Sequence, residues 1–190
     1  MIVKPTAEGL MSQVKSAARK GPPPVHLWNP PFCGDIDIRI ARDGTWFYLG
    51  TPIGRPALVK LFASILKKEG QAYFLVTPVE KVGIRVDDAP LLAVDFVASG
   101  TGCDQTLTFT TKTDDEVTAD TAHQITVTFA AGGEPAPYIH VRAGLLALID
   151  RKSFYRLVEL GCHRVQDNES WFGLWSSGQF FPIIPSKELP

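Results

Sequence analysis

Two segments in different halves of the chain share one pattern, and this repetition constrains the fold more than any other feature. Ile53-Gly54-Arg55 leads into a run with helical apolar spacing, and Ile149-Asp150-Arg151 leads into a second such run. Because each follows a β-rich stretch, the pattern predicts a duplicated unit whose helix packs on its own strands. Helices over 55–69 and 151–161 should then occupy equivalent positions in two related substructures. The alternative is a coincidence between two amphipathic helices.

The chain is long enough for two small domains and has an ordinary globular composition. Its 190 residues are 45% hydrophobic and 21% charged, and the formal net charge is -1. A balanced charge gives no general attraction for nucleic acid or anionic lipid. Cys33, Cys103 and Cys162 lie far apart without a Cys-x-x-Cys pair, which indicates reduced thiols rather than disulfides or a zinc site. No segment is typical of a signal peptide or a membrane span, so we expect a cytoplasmic protein with no membrane partner.

The N-terminal segment predicts a helical arm followed by a stiff connector. Apolar residues within 7–20 recur at helical spacing, and Gly21-Pro22-Pro23-Pro24 then ends the helix. The basic residues Lys15, Arg19 and Lys20 leave two interpretations open: an amphipathic anchor for a membrane or partner, or an arm folded back on its own domain. We favour the second, because a few basic residues on a short helix are a weak membrane signal.

The clearest strand pair of the chain surrounds Asp43-Gly44, a dipeptide that favours a two-residue type I′ turn. Before it, Ile36, Ile38 and Ile40 alternate with polar residues, and a return strand over 45–49 follows. The two-residue turn predicts that Ile40 lies opposite Phe47, and Ile38 opposite Leu49, on the core side.

The other side of this hairpin then carries two large aromatic side chains, Trp46 and Tyr48, beside Asp37 and Arg39. Leaving each aromatic in water would forgo about 2 kcal/mol of burial free energy. We therefore expect Trp46 and Tyr48 to be largely buried, by the second domain or by residues 25–34. Arg39 should lie along an aromatic ring or pair with Asp37.

The order of elements predicts an α+β protein of two small domains related by duplication. Residues 25–88 should form an α/β roll of the order ββαββ, after an arm and connector over 1–24. Residues 89–190 should form a β-rich roll or partly open barrel with one helix, because short antiparallel strands predominate there and an aromatic-rich tail needs burial. An interface between duplicated halves is a common place for a binding cleft.

The second domain contains three candidate ligand residues, Tyr138, His140 and Arg142, which a period of two places on one face of a strand. Arg142 could clamp a phosphate or carboxylate, with Tyr138 and His140 as hydrogen-bonding or stacking partners. The hairpin face supplies three more candidates. The complete predicted set is Arg39, Trp46, Tyr48, Tyr138, His140 and Arg142.

Other patterns favour structural roles. The run from Gly50 to Arg55 resembles a phosphate-binding loop only in its glycines, lacks Gly-Lys-Ser/Thr, and is interpreted as a strand-to-helix connection. Arg55 and Arg151, at matching places in the two repeated segments, could instead each form a structural hydrogen bond to a carbonyl of a nearby turn. Asp35 and Asp37 point the same way but indicate no third metal ligand. We predict no metal site, no cofactor and no catalytic constellation.

Six motifs occur in a specific order from about Val25 to Phe181. They are His26-Leu27-Trp28-Asn29-Pro30, Cys33-Gly34-Asp35, Asp43-Gly44-Thr45-Trp46, Gly50-Thr51-Pro52-Ile53, Val76-Thr77-Pro78-Val79-Glu80-Lys81 and Pro137-Tyr138 through Arg142. Together they resemble an uncharacterised bacterial family, mostly proteobacterial, that is known only as a domain of unknown function. The resemblance implies an internally duplicated two-domain protein whose second domain superficially resembles pleckstrin-homology folds. It also implies a ligand or nucleic-acid site between the domains and a part in signal transduction, with no established activity.

The leading functional hypothesis is a non-enzymatic ligand-binding or signal-transduction module with its site at the inter-domain interface. Its partner would be a small anionic ligand or a protein. One alternative is an enzyme acting on a small anionic substrate through Arg142, His140 and either Asp35 or Asp37. The other is a nucleic-acid-binding protein, which the near-zero net charge supports least.

Overall fold

The computed structural model describes residues 6–17 and 23–189, and it leaves the side chains of 15–17 undescribed. The predicted basic residues Lys15, Arg19 and Lys20 therefore lie outside the described side chains. The chain divides into two compact units, Met1–Pro90 and Leu91–Pro190, and the α+β class with two small domains is confirmed. Within the described residues no helix is long and apolar enough to cross a membrane.

The first unit contains two α-helices and six strands within its described part. Their bounds are α1 Ala7–Ala17, β1 Phe32–Ile40, β2 Trp46–Tyr48, β3 Thr51–Pro52, α2 Pro56–Ser64, β4 Leu66–Glu69, β5 Ala72–Val76 and β6 Lys81–Val86. The strands form one sheet in the order β3-β2-β1-β6-β5-β4, in which β1 and β6 are parallel and all other neighbours antiparallel. The predicted order ββαββ is thus extended by β3 and β4, which lie at the two edges.

The connection between β1 and β2 is one residue longer than the predicted turn. Ala41 donates its backbone N–H to the carbonyl of Thr45 at 2.9 Å, and Gly44 has a φ of 73°. These features describe a three-residue loop, Arg42 to Gly44, with a glycine in the left-handed region. Asp43 and Gly44 therefore lie in the turn as predicted, but Arg42 is a third loop residue.

That extra residue moves every side chain of the return strand to the opposite face, because side chains alternate along a strand. The predicted register is therefore wrong. Ile40 pairs with Trp46 rather than with Phe47, and Ile38 pairs with Tyr48 rather than with Leu49.

Trp46 consequently enters the core of the first unit. Its ring stacks on Phe62 of α2 with a centroid distance of 6.3 Å, and only 3% of the residue is exposed. Leu10 and Val14 of α1 are fully buried in the same unit. The expected burial of Trp46 is confirmed, and α2 covers its ring through Phe62.

The helix α1 is tied to a turn of its own unit through Gln13. The side-chain amide of Gln13 donates to Glu80 Oε1 at 2.8 Å, and its carbonyl accepts from Thr77 Oγ1 at 2.6 Å. Thr77 also accepts the backbone N–H of Glu80 at 3.1 Å, which closes the turn. These bonds agree with the interpretation of the N-terminal helix as an arm folded back on its own domain.

The helix α2 ends earlier than predicted, and the last part of the predicted helix 55–69 is a strand. Ile65 is its C-cap, with φ -110° and ψ 14°. Leu66–Glu69 then pairs with Ala72–Val76 across a turn in which Gly70 has a φ of 60°. A glycine that supplies a left-handed turn favours the hairpin over another helical turn.

The second unit begins with six strands, followed by one α-helix and a three-stranded sheet. The bounds are β7 Leu91–Ser99, β8 Thr106–Thr111, β9 Glu116–Thr118, β10 Ile125–Phe129, β11 Pro135–Arg142, β12 Leu145–Ile149, α3 Arg151–Val158, β13 Cys162–Gln166, β14 Glu169–Ser176 and β15 Gln179–Pro185. The larger sheet has the order β10-β11-β12-β7-β8-β9, with β7 and β12 parallel. The smaller sheet is the antiparallel meander β13-β14-β15.

Both six-stranded sheets follow one plan. When the strands are numbered within their own unit, each sheet has the order 3-2-1-6-5-4, and in each the first and sixth strands are the parallel pair. An internal duplication predicts such a shared order. The helices, however, are not equivalent, because α2 links the third and fourth strands of its sheet and α3 follows the sixth. The predicted equivalence of helices 55–69 and 151–161 is therefore wrong.

Ser176 joins the two sheets of the second unit. Its hydroxyl is fully buried, accepts the backbone N–H of Leu107 at 2.9 Å and donates to the carbonyl of Ala119 at 2.7 Å. The hydroxyl thus bridges the N–H of Leu107 in β8 and the carbonyl of Ala119, just beyond the end of β9, where the two backbone groups do not bond directly. The predicted burial of the aromatic-rich tail holds for Phe180 and Phe181, which are 2% and 3% exposed, whereas Trp171, Phe172 and Trp175 are half-buried.

The observed register predicts that Trp46 contributes more to stability than its neighbour Phe47. Trp46→Ala should lower the free energy of unfolding by about 3–5 kcal/mol, as is typical of a large core aromatic. Phe47→Ala, on the half-exposed opposite face, should cost about 1 kcal/mol. Chemical denaturation of both variants measures the difference. Equal losses, or the reverse order, would instead support the register of a two-residue turn.

The role of Ser176 predicts a second stability difference. Ser176→Ala leaves one buried N–H and one buried carbonyl without their partner, so it should lower the free energy of unfolding by about 2–4 kcal/mol. The matched control is Ser170→Ala, which removes an exposed hydroxyl bonded to Ser186 and should cost less than about 0.5 kcal/mol. If urea unfolding finds the two variants equally stable, Ser176 does not join the sheets as described.

Candidate functional site

A cavity of about 310 Å³ lies in the first unit, between α1 and the segment that leads from β2 to α2. One wall is contributed by Ala7, Glu8 and Met11 of α1. The other wall is contributed by Tyr48, residues 51–55 and Leu58. The volume falls at the lower end of the range for small-molecule sites, and most of the lining is apolar with a few polar groups.

The tight turn between β2 and β3 shapes the second wall. Leu49 and Gly50 both have positive φ values, 50° and 75°, as a two-residue hairpin turn of type I′ requires. A leucine in this region costs roughly 1–2 kcal/mol, and such strain is often found beside functional sites. Ile53 then donates its N–H to the carbonyl of Trp46 at 2.8 Å, which ties the wall to β2.

The helix α2 begins at this wall. Arg55 is its N-cap residue, with extended backbone angles of -111° and 102°, and Pro56 occupies the first helical turn. Among the described residues, no side chain caps this end of the helix. The partial positive charge of the helix N-terminus therefore adds to the positive charge of Arg55 at this end of the cavity.

Arg55 is the one arginine without a partner among the residues that the structure describes. Five others pair with carboxylates: Arg39, Arg42, Arg85, Arg142 and Arg156. Arg151 donates to the hydroxyl of Tyr155, and Arg164 lies 4.5 Å from the centre of the Trp175 ring. Arg55 is exposed on the cavity wall, and its guanidinium is free to bind a ligand.

Glu8 brings the opposite charge to the same cavity. It lies in the first turn of α1 and is exposed. No N···O distance of 4.0 Å or less joins it to Arg55 or to any other described cation. The cavity thus presents an acid and a base on different elements, and the two do not neutralise each other.

The structure separates the three hairpin residues that were predicted to bind a ligand. Tyr48 is half-buried and lines the cavity, whereas Trp46 lies in the core. The guanidinium of Arg39 lies 4.7 Å from the centre of the Phe47 ring and 3.6 Å from Asp87. Arg39 therefore does lie along an aromatic ring, but its carboxylate partner is not Asp37.

The three candidates of the second unit share one half-buried face of β11, as the period of two predicts. Tyr138, His140 and Arg142 alternate there with the buried residues Ile139 and Val141. The predicted role of this face in ligand binding stays a prediction.

Arg142 is paired within its own unit. Its guanidinium donates to Asp115, and the second carboxylate oxygen of Asp115 accepts the hydroxyls of Thr111 and Thr113 at 3.1 and 2.8 Å. An anionic ligand would have to compete with Asp115 for Arg142, so Arg55 is the more accessible of the two arginines.

His140 is bonded to the backbone through both ring nitrogens. Its Nδ1 donates to the carbonyl of Ala122 at 2.9 Å, and its Nε2 accepts the N–H of Gly144 at 3.1 Å. These bonds require the neutral ring with its proton on Nδ1. The ring stacks on His123 with a centroid distance of 5.9 Å. His140 therefore joins a loop to a turn, and it has no nitrogen left to donate or accept another bond.

Asp120 organises the loop next to these rings. Its Oδ1 accepts the backbone N–H groups of His123 and Ala122, each at 2.8 Å. The bond from the His123 N–H, and then that from Ala122, hold the pKa of Asp120 below its ordinary value of 3.8, against the opposing effect of burial.

The second unit has its own cavity, also of about 310 Å³, between β10 and β15. Its described lining includes Gln124, Thr126 and Gln179 with apolar residues, and it contains no charged side chain. This cavity therefore offers no positive charge that would favour an anionic ligand over a neutral one.

Among the described residues, no three His, Cys, Asp or Glu side chains come together as a metal site.

Neither Arg55 nor Glu8 was among the predicted ligand residues. The run from Gly50 to Arg55 is the strand-to-helix connection that its sequence indicates, but this connection is also a cavity wall. Glu8 is an ordinary acid for the first turn of a helix. What distinguishes Arg55 and Glu8 is that neither has an ionic partner among the described residues. The folded structure shows this, and no sequence motif indicates it.

The lowered pKa of Asp120 predicts acid sensitivity. A carboxyl group with a lower pKa in the folded chain stabilises the fold when ionised, and this stability is lost as the pH falls from the unfolded-state value through the folded-state value. Asp120→Asn keeps an oxygen acceptor but cannot ionise. Its unfolding free energy should therefore depend less on pH than that of the wild type between about pH 2 and 5. Parallel pH curves in denaturant titrations would contradict this role for Asp120.

Two family models match consecutive parts of the chain. One is "Domain of unknown function (DUF1285), N-terminal domain", which matches residues 23–89, and the other is "Protein of unknown function (DUF1285), C-terminal domain", which matches residues 90–183. No protein with a curated description matches the chain.

Two crystal structures of DUF1285 family proteins are similar to the chain. The protein from Silicibacter pomeroyi DSS-3 is 62% identical with a TM-score of 0.86, and the match covers 95% of this chain and 97% of that chain. The protein from Shewanella baltica OS155 is 33% identical with a TM-score of 0.51, and the match covers 64% of this chain and 90% of that chain.

Proposed function

The chain belongs to the DUF1285 family, whose function is unknown, and we propose from its structure that the first unit binds a small molecule carrying an acidic group. The observation that carries the proposal is the free guanidinium of Arg55 on the wall of a largely apolar cavity. The small anionic ligand expected from the sequence would therefore bind within the first unit.

The size and lining of the cavity support this proposal. A volume of about 310 Å³ accommodates a small organic molecule, and Met11, Ile53 and Leu58 offer apolar contacts to its body. Arg55 can form two parallel bonds to a carboxylate or phosphate, and the N-terminus of α2 favours the same charge. Tyr48 adds a hydroxyl that can donate or accept.

The lining is suited to binding rather than to turnover. Its described residues include no histidine, cysteine or lysine, and its one carboxylate, Glu8, is exposed. Three of the groups named in the enzymatic alternative have structural partners: Asp37 pairs with Arg85 at 3.3 Å, His140 is bonded to backbone on both nitrogens, and Arg142 is bonded to Asp115. A binding module also suits the part in signal transduction that the family resemblance implies.

The proposal predicts that ligand binding depends on Arg55. A thermal-shift screen of small organic acids against the full chain should find compounds that raise the melting temperature, because a ligand of the native state stabilises it. For a compound found in this way, Arg55→Gln should weaken binding about tenfold to a hundredfold, since a bond to a charged group contributes about 1.5–3 kcal/mol. Isothermal titration calorimetry measures the change.

The matched control is Arg85→Gln, which removes an exposed guanidinium of the same unit that pairs with Asp37 and does not line the cavity. It should leave the dissociation constant unchanged. If both variants bind the acid as tightly as the wild type, or if both lose the same affinity, the acid does not bind at Arg55 and the proposal fails.

A further inference from the structure

We infer that the ligand of this cavity is a zwitterion with an apolar body, the chemistry of an apolar α-amino acid. The inference rests on the proposed function and specifies the ligand of the same site. Its acidic group would bind Arg55, and its ammonium group would bind Glu8.

The first argument is the pair of opposite charges in one small cavity. Glu8 and Arg55 line the same volume of about 310 Å³, yet their charged atoms are more than 4.0 Å apart and neither has another ionic partner among the described residues. The other described arginines on the surface of this unit do have carboxylate partners. Two charges of opposite sign that line one cavity and do not pair with each other can be joined by a molecule that carries both signs.

The second argument is the exclusion of simpler ligands. A plain carboxylate or phosphate that binds Arg55 would bring a second negative charge into the cavity that Glu8 lines, and a plain amine that binds Glu8 would bring a second positive charge. Like charges brought together are unfavourable, and such repulsion is one way in which binding sites reject the wrong ligand. A zwitterion meets a favourable charge at each end.

The third argument concerns the remaining surface of the cavity. Met11 on one wall and Ile53 and Leu58 on the other are apolar, so they can pack against an aliphatic or aromatic side chain. The flexible thioether of Met11 can adjust to side chains of different shape. An acid such as Glu8 is favourable in the first turn of a helix. That preference does not by itself explain why the Glu8 side chain lines the cavity.

Three isosteric probes test the inference on the full chain. L-leucine carries both charges, 4-methylpentanoate lacks the ammonium group, and 3-methylbutylamine lacks the carboxylate. Calorimetric titration should show leucine binding at least about tenfold more tightly than either analogue, because each analogue leaves one charge of the cavity unpaired.

Two variants assign the charges to their partners. Glu8→Gln should weaken leucine about tenfold and should not weaken 4-methylpentanoate, whereas Arg55→Gln should weaken both. Glu134→Gln, which removes an exposed acid of the second unit, should change neither. Equal unfolding midpoints for wild type and Glu8→Gln would show that α1 stays folded and that the affinity change is electrostatic.

The outcomes separate the inference from the proposed function. If 4-methylpentanoate binds the wild type as tightly as leucine and loses affinity in Arg55→Gln, the zwitterion is overturned while acid binding at Arg55 stands. The zwitterion is overturned in the same way if none of the three probes binds but an acid from the screen binds in an Arg55-dependent manner. If no compound of either set depends on Arg55, the inference and the proposed function both fail.

Discussion

The stacking of Trp46 on Phe62 is the contact on which the rest of the first unit depends. It exists because the loop before Trp46 has three residues with Gly44 in the left-handed region, so that the tryptophan and not Phe47 faces the core. Through this contact β2 holds α2 against the sheet. The segment between them, which carries Arg55, is thereby fixed as a cavity wall.

The same strand order occurs in both units, although the short pattern that appears twice in the sequence lies at different places in the two sheets. Each sheet consists of two antiparallel meanders joined by a central parallel pair of first and last strands. A parallel pair needs a long connection, and the strands between the first and the sixth provide it. The helix can then lie within that connection, as α2 does, or after the sheet, as α3 does, without changing the sheet itself.

Particular polar groups of the two units differ in their partners. In the second unit His140, Arg142 and Ser176 bond to other parts of the same unit, and each such bond joins segments far apart in the chain. In the first unit Glu8 and Arg55 line a cavity and pair with no described residue. Satisfied polar groups stabilise a fold, whereas free charges in an apolar cavity are what a ligand can use.

The sequence by itself determined the α+β class and most strand positions, because alternation and periodicity are local properties. It also indicated a duplication, but not which elements are equivalent. The tertiary structure decided the hairpin register, since Asp43-Gly44 suits both a two-residue turn and the observed longer loop.

The site was decided almost entirely by the tertiary structure. Tyr48 was predicted as a ligand residue from its hairpin and does line the cavity. Arg55 and Glu8 lie far apart in the sequence, and each has an ordinary local explanation as a helix-terminal residue. Whether a charge is free depends on every other charge around it, and that is a property of the folded chain and not of any sequence motif.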